Sequence, residues 1–401
     1  MLGGWAAGRR CPVEGSGVAR GTAEVRTSLW RLPAMRALVG ATALGFASYC
    51  LTLASLPAYA VAGGAAADTA GVVTAVLLLV TVAVQSAVPA LTARYGVGPV
   101  LAAGLVALGA PSPLYAVDDG LLWLSAVSAV RGAGFAVLTV LGATLAARVA
   151  PAERRGEAIG IYGLAIAVPN LVAVPAGVAL VLDGHVGWLA WLAAAPVLAL
   201  PLVPAVVRRA RGGAPRGTSS SRAAVRAALA PSAVLLVVTL AGGGLVTFLP
   251  IERPDGVLAT AALLVFGVTG ALTRWGAGLL ADRAGTRLLL PLALLVSAAG
   301  LAAVALGLGA GAGWVLAGAA LFGAGYGAVQ NLTLLAAFAR AGERGATAAS
   351  AMWNASFDAG TAIGALTLGL VAAGVGLSWT YVLVAGVLLL TLPLARVAAQ
   401  R

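Results

Sequence analysis

The feature that most constrains this chain is a succession of long apolar stretches separated by short polar breaks. Twelve such stretches can be delimited by Gly, Pro and charged residues. They run over residues 38–61, 69–91, 99–117, 121–146, 158–182, 188–207, 232–250, 257–280, 288–309, 314–338, 346–373 and 379–396. Because a bilayer core about 30 Å thick is crossed by roughly 20 apolar residues of helix, we predict twelve transmembrane helices. A membrane barrel would instead show alternating polarity over about ten residues.

The composition argues against a water-soluble domain. Of 401 residues, 61% are hydrophobic and only 9% are charged, and the mean hydropathy is +1.01. A soluble protein of this length needs a polar surface that such a composition cannot supply. The fold class is therefore predicted to be an all-α membrane protein.

The net charge of +12 could indicate a nucleic-acid partner, so its distribution along the chain matters. All 25 basic residues are arginine. With a cytoplasmic amino terminus, every arginine except Arg131, Arg253 and Arg274 falls on the inner side. The predicted outer loops carry acids, namely Asp68, Asp118, Asp119, Asp183, Glu252 and Asp255. This positive-inside pattern predicts a multi-pass plasma-membrane protein with both termini cytoplasmic and no nucleic-acid partner.

A segment rich in Arg, Gly and Ser divides the predicted helices six and six, and it reads as a linker. The predicted domains are a disordered basic cytoplasmic tail over 1–37, a six-helix bundle over 38–207, a cytoplasmic linker over 208–231, a second six-helix bundle over 232–396 and a cytoplasmic tail over 397–401. The first tail lacks the apolar core of a cleaved signal peptide, and translation from Met35 instead of Met1 stays open. We expect a monomer.

The two predicted bundles share three landmarks in nearly one register. The matching pairs are Arg94-Tyr-Gly with Arg283-Ala-Gly, Gly132-Ala-Gly with Gly323-Ala-Gly, and Arg155-Gly with Arg344-Gly, at offsets of 189, 191 and 189. Their order and near-constant spacing predict a duplicated six-helix unit. Because both copies begin on the same side, the repeats are predicted to be parallel, related by an axis along the membrane normal.

The loop after the eighth stretch carries a recognisable motif. It reads Gly278-Leu-Leu-Ala-Asp282-Arg283-Ala-Gly285-Thr-Arg287. This run resembles the signature loop of the major facilitator superfamily, G-x-x-x-D-R-x-G-x-R. The first-half copy is degenerate, since Ala93 stands where the acid would be while Arg94 remains. The resemblance extends over about residues 38–396 and implies the twelve-helix major facilitator fold.

These residues form a predicted cytoplasmic gating loop. Its members are Gly278, Asp282, Arg283, Gly285, Arg287 and, from the first half, Arg94. Short inner loops need Gly for tight turns and cations to stay on the inner face, so a role in topology alone stays open for the arginines. Topology alone does not explain Asp282, because a carboxylate there can sit at a helix N-terminus and pair with an arginine. We predict a latch that closes and releases as the halves move.

Asp358 lies near the middle of the eleventh stretch, where a charge is costly and rare without a function. Asn354 is one helical turn earlier on the same face, and Trp353 with Phe357 adds an aromatic pair. Burial favours the protonated form of a carboxyl group. Asp358 is therefore predicted to bind a proton or a cationic group of the substrate. The alternative is a structural Asp held by hydrogen bonds between helices.

Arg131 lies at similar depth in the fourth stretch, where the repeat places Phe322 in the other half. A permanent positive charge there needs an acid, a cavity or an anionic substrate. Similar arginines in the family imply proton coupling, and a structural arginine that binds a carbonyl is the alternative. Arg274 lies near the predicted cytoplasmic end of the eighth stretch, so we expect it to reach the membrane surface and assign it no role.

Neutral polar residues within the stretches are further candidates for a substrate cavity. In the family, stretches 1, 4, 7 and 10 line the central cleft, which favours Tyr49 and Gln330, with Asn331 beside the latter. Together with the eleventh stretch the predicted cavity residues are Tyr49, Gln330, Asn331, Trp353, Asn354 and Phe357. Ser48, Gln85 and Asn170 are weaker candidates, because polar side chains in membranes often only join helices.

The resemblance implies a secondary active transporter of a small molecule that works by alternating access. The run from Asn354 to Gly364 resembles bacterial drug-efflux and sugar-efflux-like proton antiporters and favours proton-coupled efflux, with proton-coupled import as the alternative. An intramembrane transferase is a weaker alternative, because the only histidine, His185, lies in a predicted outer loop and no carboxylates cluster. We predict no enzyme activity, cofactor or metal; the expected partners are a small-molecule substrate, protons and the lipid bilayer.

Overall fold

The computed structural model describes residues 28–53, 55–65, 72–210, 221–252 and 257–399, and the regular structure within these ranges is helical. The α-helices are α1 (Pro33–Leu53), α2 (Ser55–Ala62), α3 (Val72–Gln85), α4 (Val88–Tyr95), α5 (Val97–Gly109), α6 (Leu121–Val149), α7 (Arg155–Leu182), α8 (Val186–Leu192), α9 (Val203–Ala210), α10 (Ser221–Glu252), α11 (Val257–Ala284), α12 (Thr286–Ala310), α13 (Ala312–Val375), α14 (Leu377–Leu390) and α15 (Leu392–Ala398). Short 3-10 helices cover Leu29–Arg31, Ser112–Ala116, Ala152–Arg154 and Ala195–Leu202.

Several sequence predictions fall outside the described residues. They are most of the tail 1–37, positions 211–220 of the linker, positions 400–401 of the last tail, and Asp68, Arg253 and Asp255. Within the predicted linker, α10 already begins at Ser221. Its first turns bury Ala224 and Ala228, which gives this polar segment an apolar face that hydropathy alone does not reveal.

The number of membrane-crossing helices is lower by direct count than the sequence predicts. Nine helices of the described residues are long and apolar enough to cross a membrane, and the number is eleven if two bent pairs each count as one span. The difference from twelve arises in α13, which spans both the predicted tenth and eleventh stretches and is counted as one helix. Gly342, with φ +68°, interrupts the helical backbone of α13 and separates an arm over 312–341 from one over 343–375.

Both bent pairs have a proline in the first turn of their second helix. The axes of α3 and α4 differ by 54°, and those of α14 and α15 by 40°. Pro89 lies at the start of α4 and Pro393 at the start of α15. A proline is tolerated in a first turn, where its missing N–H has no helical partner, but it prevents the preceding helix from continuing straight.

Helices α1–α9 and α10–α15 form two halves; one buried apolar cluster lies within the second half, and another, centred on the first half, extends into α10 and α13. The matching Gly-Ala-Gly runs pack in the same way in both. Gly132 and Gly134 lie against the backbones of α3 and α5, while Gly323 and Gly325 lie against those of α11 and α12. A side chain at any of these positions would overlap the neighbouring backbone, so glycine permits the close helix approach that membrane bundles use.

The halves meet at mid-span and at one end, which contains the N-terminus of α7, the C-terminus of α11 and the region of α13 around Gly342. We call this the closed end. The described hydrogen bonds and ion pairs between the halves are Gln85–Asp358, Val140–Ser350, Arg148–Glu343, Arg155–Glu343, Gly156–Asp282, Glu157–Asp282 and Gly156–Asn331. Among the described residues, none of these contacts joins the halves at the opposite end, near α2 and α8.

Candidate functional site

Asp358 contacts the other half of the molecule directly. Gln85 Nε2, at the end of α3, donates a hydrogen bond of 2.9 Å to Asp358 Oδ2 on α13. The Gln85 side chain is fully buried, and its Oε1 has no hydrogen-bond partner within the described part of the chain. The carboxylate is therefore held at mid-span by a donor that belongs to the opposite half.

One tyrosine of each half lies within electrostatic range of Asp358. On α1, Tyr49 lies within electrostatic range of the carboxylate and stacks on Phe135 of α6 at a ring separation of 4.0 Å. On α13, Tyr326 lies within electrostatic range of the same carboxylate. Tyr49 and Tyr326 are both only partly buried. The structure thus brings the predicted cavity residue Tyr49 to the predicted proton site.

The remaining cavity candidates of the eleventh stretch differ in their surroundings. Trp353 is buried, donates from Nε1 to Thr333 Oγ1 at 3.0 Å, and stacks with Phe357 at 5.9 Å. Asn354 donates back to the carbonyl of Ser350 at 2.9 Å within its own helix. Trp353 and Phe357 therefore form an aromatic pair on the same arm of α13 as Asp358, while the Asn354 amide is engaged in a local bond.

Arg274 does not reach the membrane surface, so the expectation from its position in the eighth stretch is wrong. Its side chain is only 8% exposed. Nη1 donates to Gln330 Oε1 at 2.8 Å, and the guanidinium carbon lies 6.0 Å from the centre of the Trp353 ring. Arg274 turns inward because α11 packs against α7, where Gly163 leaves space for the long side chain.

Asn331 joins the same region to the closed end. Its Nδ2 donates to the carbonyl of Arg274 at 2.8 Å and to the carbonyl of Gly156 in the other half at 3.3 Å. The predicted cavity residues Gln330 and Asn331 thus both contact α11. Asn331 is fully buried and acts between the halves in this conformation.

Arg131 is fully buried within the first half and is bonded to neutral oxygen atoms. Its five donated hydrogen bonds, of 2.8 to 3.1 Å, end on the Leu108 carbonyl, Thr52 Oγ1, the Tyr115 hydroxyl, the Ser48 carbonyl and Ser48 Oγ. All five guanidinium N–H groups are therefore satisfied. Arg131 does not form an ion pair with Asp358 or with any other described acid; it fastens α1 and α5 to α6.

Asp282 caps a helix of the opposite half. Its Oδ1 accepts from the Gly156 N–H at 2.8 Å and its Oδ2 from the Glu157 N–H at 2.9 Å. These are free donors in the first turn of α7, which is the place where a carboxylate is favoured by the helix dipole. Gly278 lies one helical turn before Asp282, and its backbone touches that of Gly156. The predicted placement of Asp282 at a helix N-terminus is what the structure shows.

The other predicted gating residues lie on the surface. Arg283, Arg287 and Arg94 are exposed, and Arg94 lies over the Tyr95 ring at 5.2 Å. Gly285 has φ +74° and precedes the first residue of α12, so it supplies the tight turn expected from the motif. The structure does not bring these three arginines to Asp282.

Several contributors to the interface were not predicted from the sequence, among them Ser350 and Arg148. Glu343 pairs with Arg155 at 2.8 Å across the closed end, Gly156 is contacted from both sides by the second half, and Arg274 lies in the interface. The repeat already aligned Arg155-Gly with Arg344-Gly, so that motif was the available signal for Gly156 and Glu343. No local pattern signalled the inward direction of Arg274.

Comparisons with known proteins agree with this architecture. The sequence pattern of the Major Facilitator Superfamily matches residues 37–351. No curated protein matches the chain.

Solved structures similar to this chain include the major facilitator transporter FucP in the outward conformation. It has 14% identity and a TM-score of 0.72, and the match covers 93% of this chain and 100% of that one. Another is the human organic anion transporter MFSD10 (TETRAN), with 16% identity, a TM-score of 0.71 and coverage of 90% and 99%. The E. coli fucose:proton symporter FucP has 15% identity, a TM-score of 0.69 and coverage of 93% and 100%. At these identities the likeness shows the fold alone.

Several candidate residues thus lie where the two helical halves meet. Asp358 accepts a hydrogen bond from Gln85 of the first half, and Asp282 caps α7. The matched family covers most of the sequence, and its members are transporters, not enzymes. The chain belongs to the major facilitator superfamily and is a secondary active transporter of a small molecule.

Proposed function

We propose that this protein is a proton-coupled transporter in which Asp358 carries the proton. The main support for this proposal is the Gln85–Asp358 hydrogen bond of 2.9 Å between the halves. A hydrogen bond to an ionised carboxylate is about twice as strong as one to a neutral acceptor. The ionised form of Asp358 therefore holds the halves together at mid-span, and protonation weakens that contact.

We further propose twelve membrane spans in two parallel six-helix repeats, with both termini cytoplasmic. The twelve follow from counting the two arms of α13 separately, and the parallel repeats are supported by the matching glycine contacts of Gly132 and Gly323. Under the positive-inside rule the closed end is cytoplasmic. An impermeant maleimide applied to intact cells should label a cysteine at Asp183 and leave one at Leu288 unlabelled; the reverse pattern would invert the orientation.

In this topology the structure is closed toward the cytoplasm, and we propose that Asp358 exchanges its proton with the outside. A proton taken up from outside weakens the contact to Gln85, and the closed end can then open if the Asp282 cap on α7 is released. Arg131 acts indirectly in this scheme. Its bonds to Ser48 and Thr52 fix the turn of α1 that carries Tyr49, the ring beside Asp358.

Export is the direction that we propose, supported by the resemblance of the run from Asn354 to Gly364 to efflux antiporters. Import by symport is the second candidate, and it is supported by the similarity to a structure named as a fucose:proton symporter. The growth of a strain that lacks the gene distinguishes export from import. A strain without the gene should become more sensitive to a toxic compound if the protein exports, and should lose growth on a nutrient if it imports.

Proton coupling can be tested on the purified protein before a substrate is known. Spin labels at Glu153→Cys and Leu288→Cys, in a background without Cys11 and Cys50, report the width of the closed end. We expect the label distance to change when the pH is lowered, because protonation of Asp358 weakens the contact between the halves.

Asp358→Asn mimics the neutral form, so its label distances should be independent of pH. Asp183→Asn, which removes an exposed acid at the other end of α7, should behave as wild type. A pH response that persists in Asp358→Asn would assign proton coupling to another group.

A further inference from the structure

The two arginines buried in the helices differ in how well their donors are satisfied. Arg131 has a partner for each of its five N–H groups. Arg274 has one hydrogen bond, from Nη1 to Gln330, and its Nε lacks a partner among the described residues. Burial of a guanidinium is costly unless its donors and its charge are compensated. Arg274 therefore has unused capacity to bind.

No acid in the described part of the chain forms an ion pair with Arg274. The described ion pairs are Arg154–Glu157 and Arg155–Glu343, and Asp358 is bonded to Gln85 instead. Besides Gln330, the Trp353 ring lies beside the guanidinium, and the phenols of Tyr162 and Tyr326 are within electrostatic range of it. A buried cation within an aromatic surface is suited to an anion that carries an apolar body.

The geometry of the free donors matches a carboxylate. Gln330 occupies Nη1, so the unused edge of Arg274 is that of Nε and Nη2, which presents two parallel N–H groups. A planar carboxylate accepts from such an edge through both oxygens.

Arg274 is covered in this conformation by the opposite half. Gly163 of α7 lies so close that a Cβ there would be 2.6 Å from Nε. Separation of α7 and α11 at the closed end therefore uncovers the free edge. Side chains on a helix lean toward its N-terminus, so the guanidinium is directed from the closed end toward the level of Tyr326. Tyr326 in turn lies within electrostatic range of both Arg274 and Asp358.

We propose that Arg274 binds the anionic group of the substrate and that the substrate is an organic carboxylate with an apolar or aromatic body. This rests on the transport function proposed above and adds the substrate class. The carboxylate binds along the Nε and Nη2 edge, Gln330 orients the guanidinium, and the rings of Trp353 and Tyr326 contact the body. Asp358 is left free to carry the proton.

Thermal unfolding of the purified full-length protein tests the proposal directly. The probes are a panel of aromatic and aliphatic carboxylates that includes benzoate, each paired with its neutral amide and its amine. Carboxylates should raise the melting temperature while their amides and amines do not. Arg274→Lys keeps the charge but loses the parallel donors, so Kd should rise about ten- to a hundredfold, the equivalent of one or two charged hydrogen bonds. Arg274→Gln should abolish the shift.

The controls separate this proposal from proton coupling. Asp358→Asn should keep carboxylate binding while losing the pH response of the spin-label distance, so either function can fail alone. Should Arg274→Gln not fold, the comparison of wild type with Arg274→Lys still decides. Equal stabilisation by an amide or amine, tighter binding of phenylphosphonate than of benzoate, unchanged affinity in Arg274→Lys, or no response to any carboxylate would each overturn the proposal.

Discussion

At the scale of single residues, the polar groups within the helices fall into two kinds. Arg131 is surrounded by acceptors from its own half, whereas Asp358 and Arg274 face the other half. A group that is bonded within one rigid half keeps its partners when the halves move. A group at the interface exchanges its partners, so Asp358 and Arg274 are the ones that can sense the conformation.

Arg131→Lys should destabilise the protein through its first half. Lysine offers three N–H groups where arginine offers five, so at least two of the five hydrogen bonds are lost. A hydrogen bond to a charged group contributes about 1.5–3 kcal/mol, which predicts a loss of roughly 3 kcal/mol or more and a lower melting temperature. The control is Arg94→Lys, because Arg94 is exposed. Thermal unfolding in detergent is the measurement.

One outcome would contradict a purely structural role of Arg131. If Arg131→Lys melts like the wild type but no longer transports, the arginine takes part in coupling directly, and its function as a fastener between α1, α5 and α6 is secondary.

The partners of single residues are only partly predictable from the sequence. The cost of a charge in the membrane was sufficient to single out Asp358 and Arg131. It could not reveal that Gln85 is the partner of Asp358, because the two are 273 positions apart and meet only after the halves pack. Arg274 was misplaced for the same reason: its direction depends on the space left by Gly163 of another helix.

At the scale of elements, local composition determines most of what was predictable. Long apolar runs gave the helices α6, α7, α11 and α12 close to their predicted limits. The bends between α3 and α4 and between α14 and α15 are set by proline, but their angles depend on packing. The sequence predicts two spans in place of α13, because polar residues around Gly342 interrupt the apolar run. In the structure this polar centre is nevertheless helical on both sides of Gly342.

Contact between α7 and α11 requires glycine, and this yields a prediction with a control in the same helix. A Cβ on Gly278 would overlap the Gly156 carbonyl, whereas one on Gly276 would meet nothing within 4 Å. Gly278→Ala should therefore prevent the closed end from forming and reduce transport strongly, while Gly276→Ala transports normally.

Transport of the cognate substrate is the measurement, with the melting temperature of both variants as the check on folding. Wild-type transport by Gly278→Ala would show that α7 and α11 need not approach this closely during the cycle.

At the scale of the whole molecule, a few contacts set the balance between two arrangements of the halves. The closed end is joined by the Asp282 cap, the Arg155–Glu343 ion pair and Asn331. The ion pair is partly exposed at both partners and contributes little. The cap is stronger, because one carboxylate satisfies two helix N-terminal donors and also interacts with the dipole of α7. Asp282 should therefore carry most of the bias toward closure.

Removing the cap should open the closed end without unfolding either half. A capping side chain is worth about 0.5–2 kcal/mol, and a loss of 2 kcal/mol in Asp282→Ala shifts the closed-to-open ratio by roughly thirtyfold. Spin labels at Glu153→Cys and Leu288→Cys should then report longer distances. Asp183→Ala deletes an exposed acid at the opposite end of α7 and should leave the distances unchanged. Overlapping distributions for Asp282→Ala and the wild type would mean that apolar packing, and not the cap, holds the halves together.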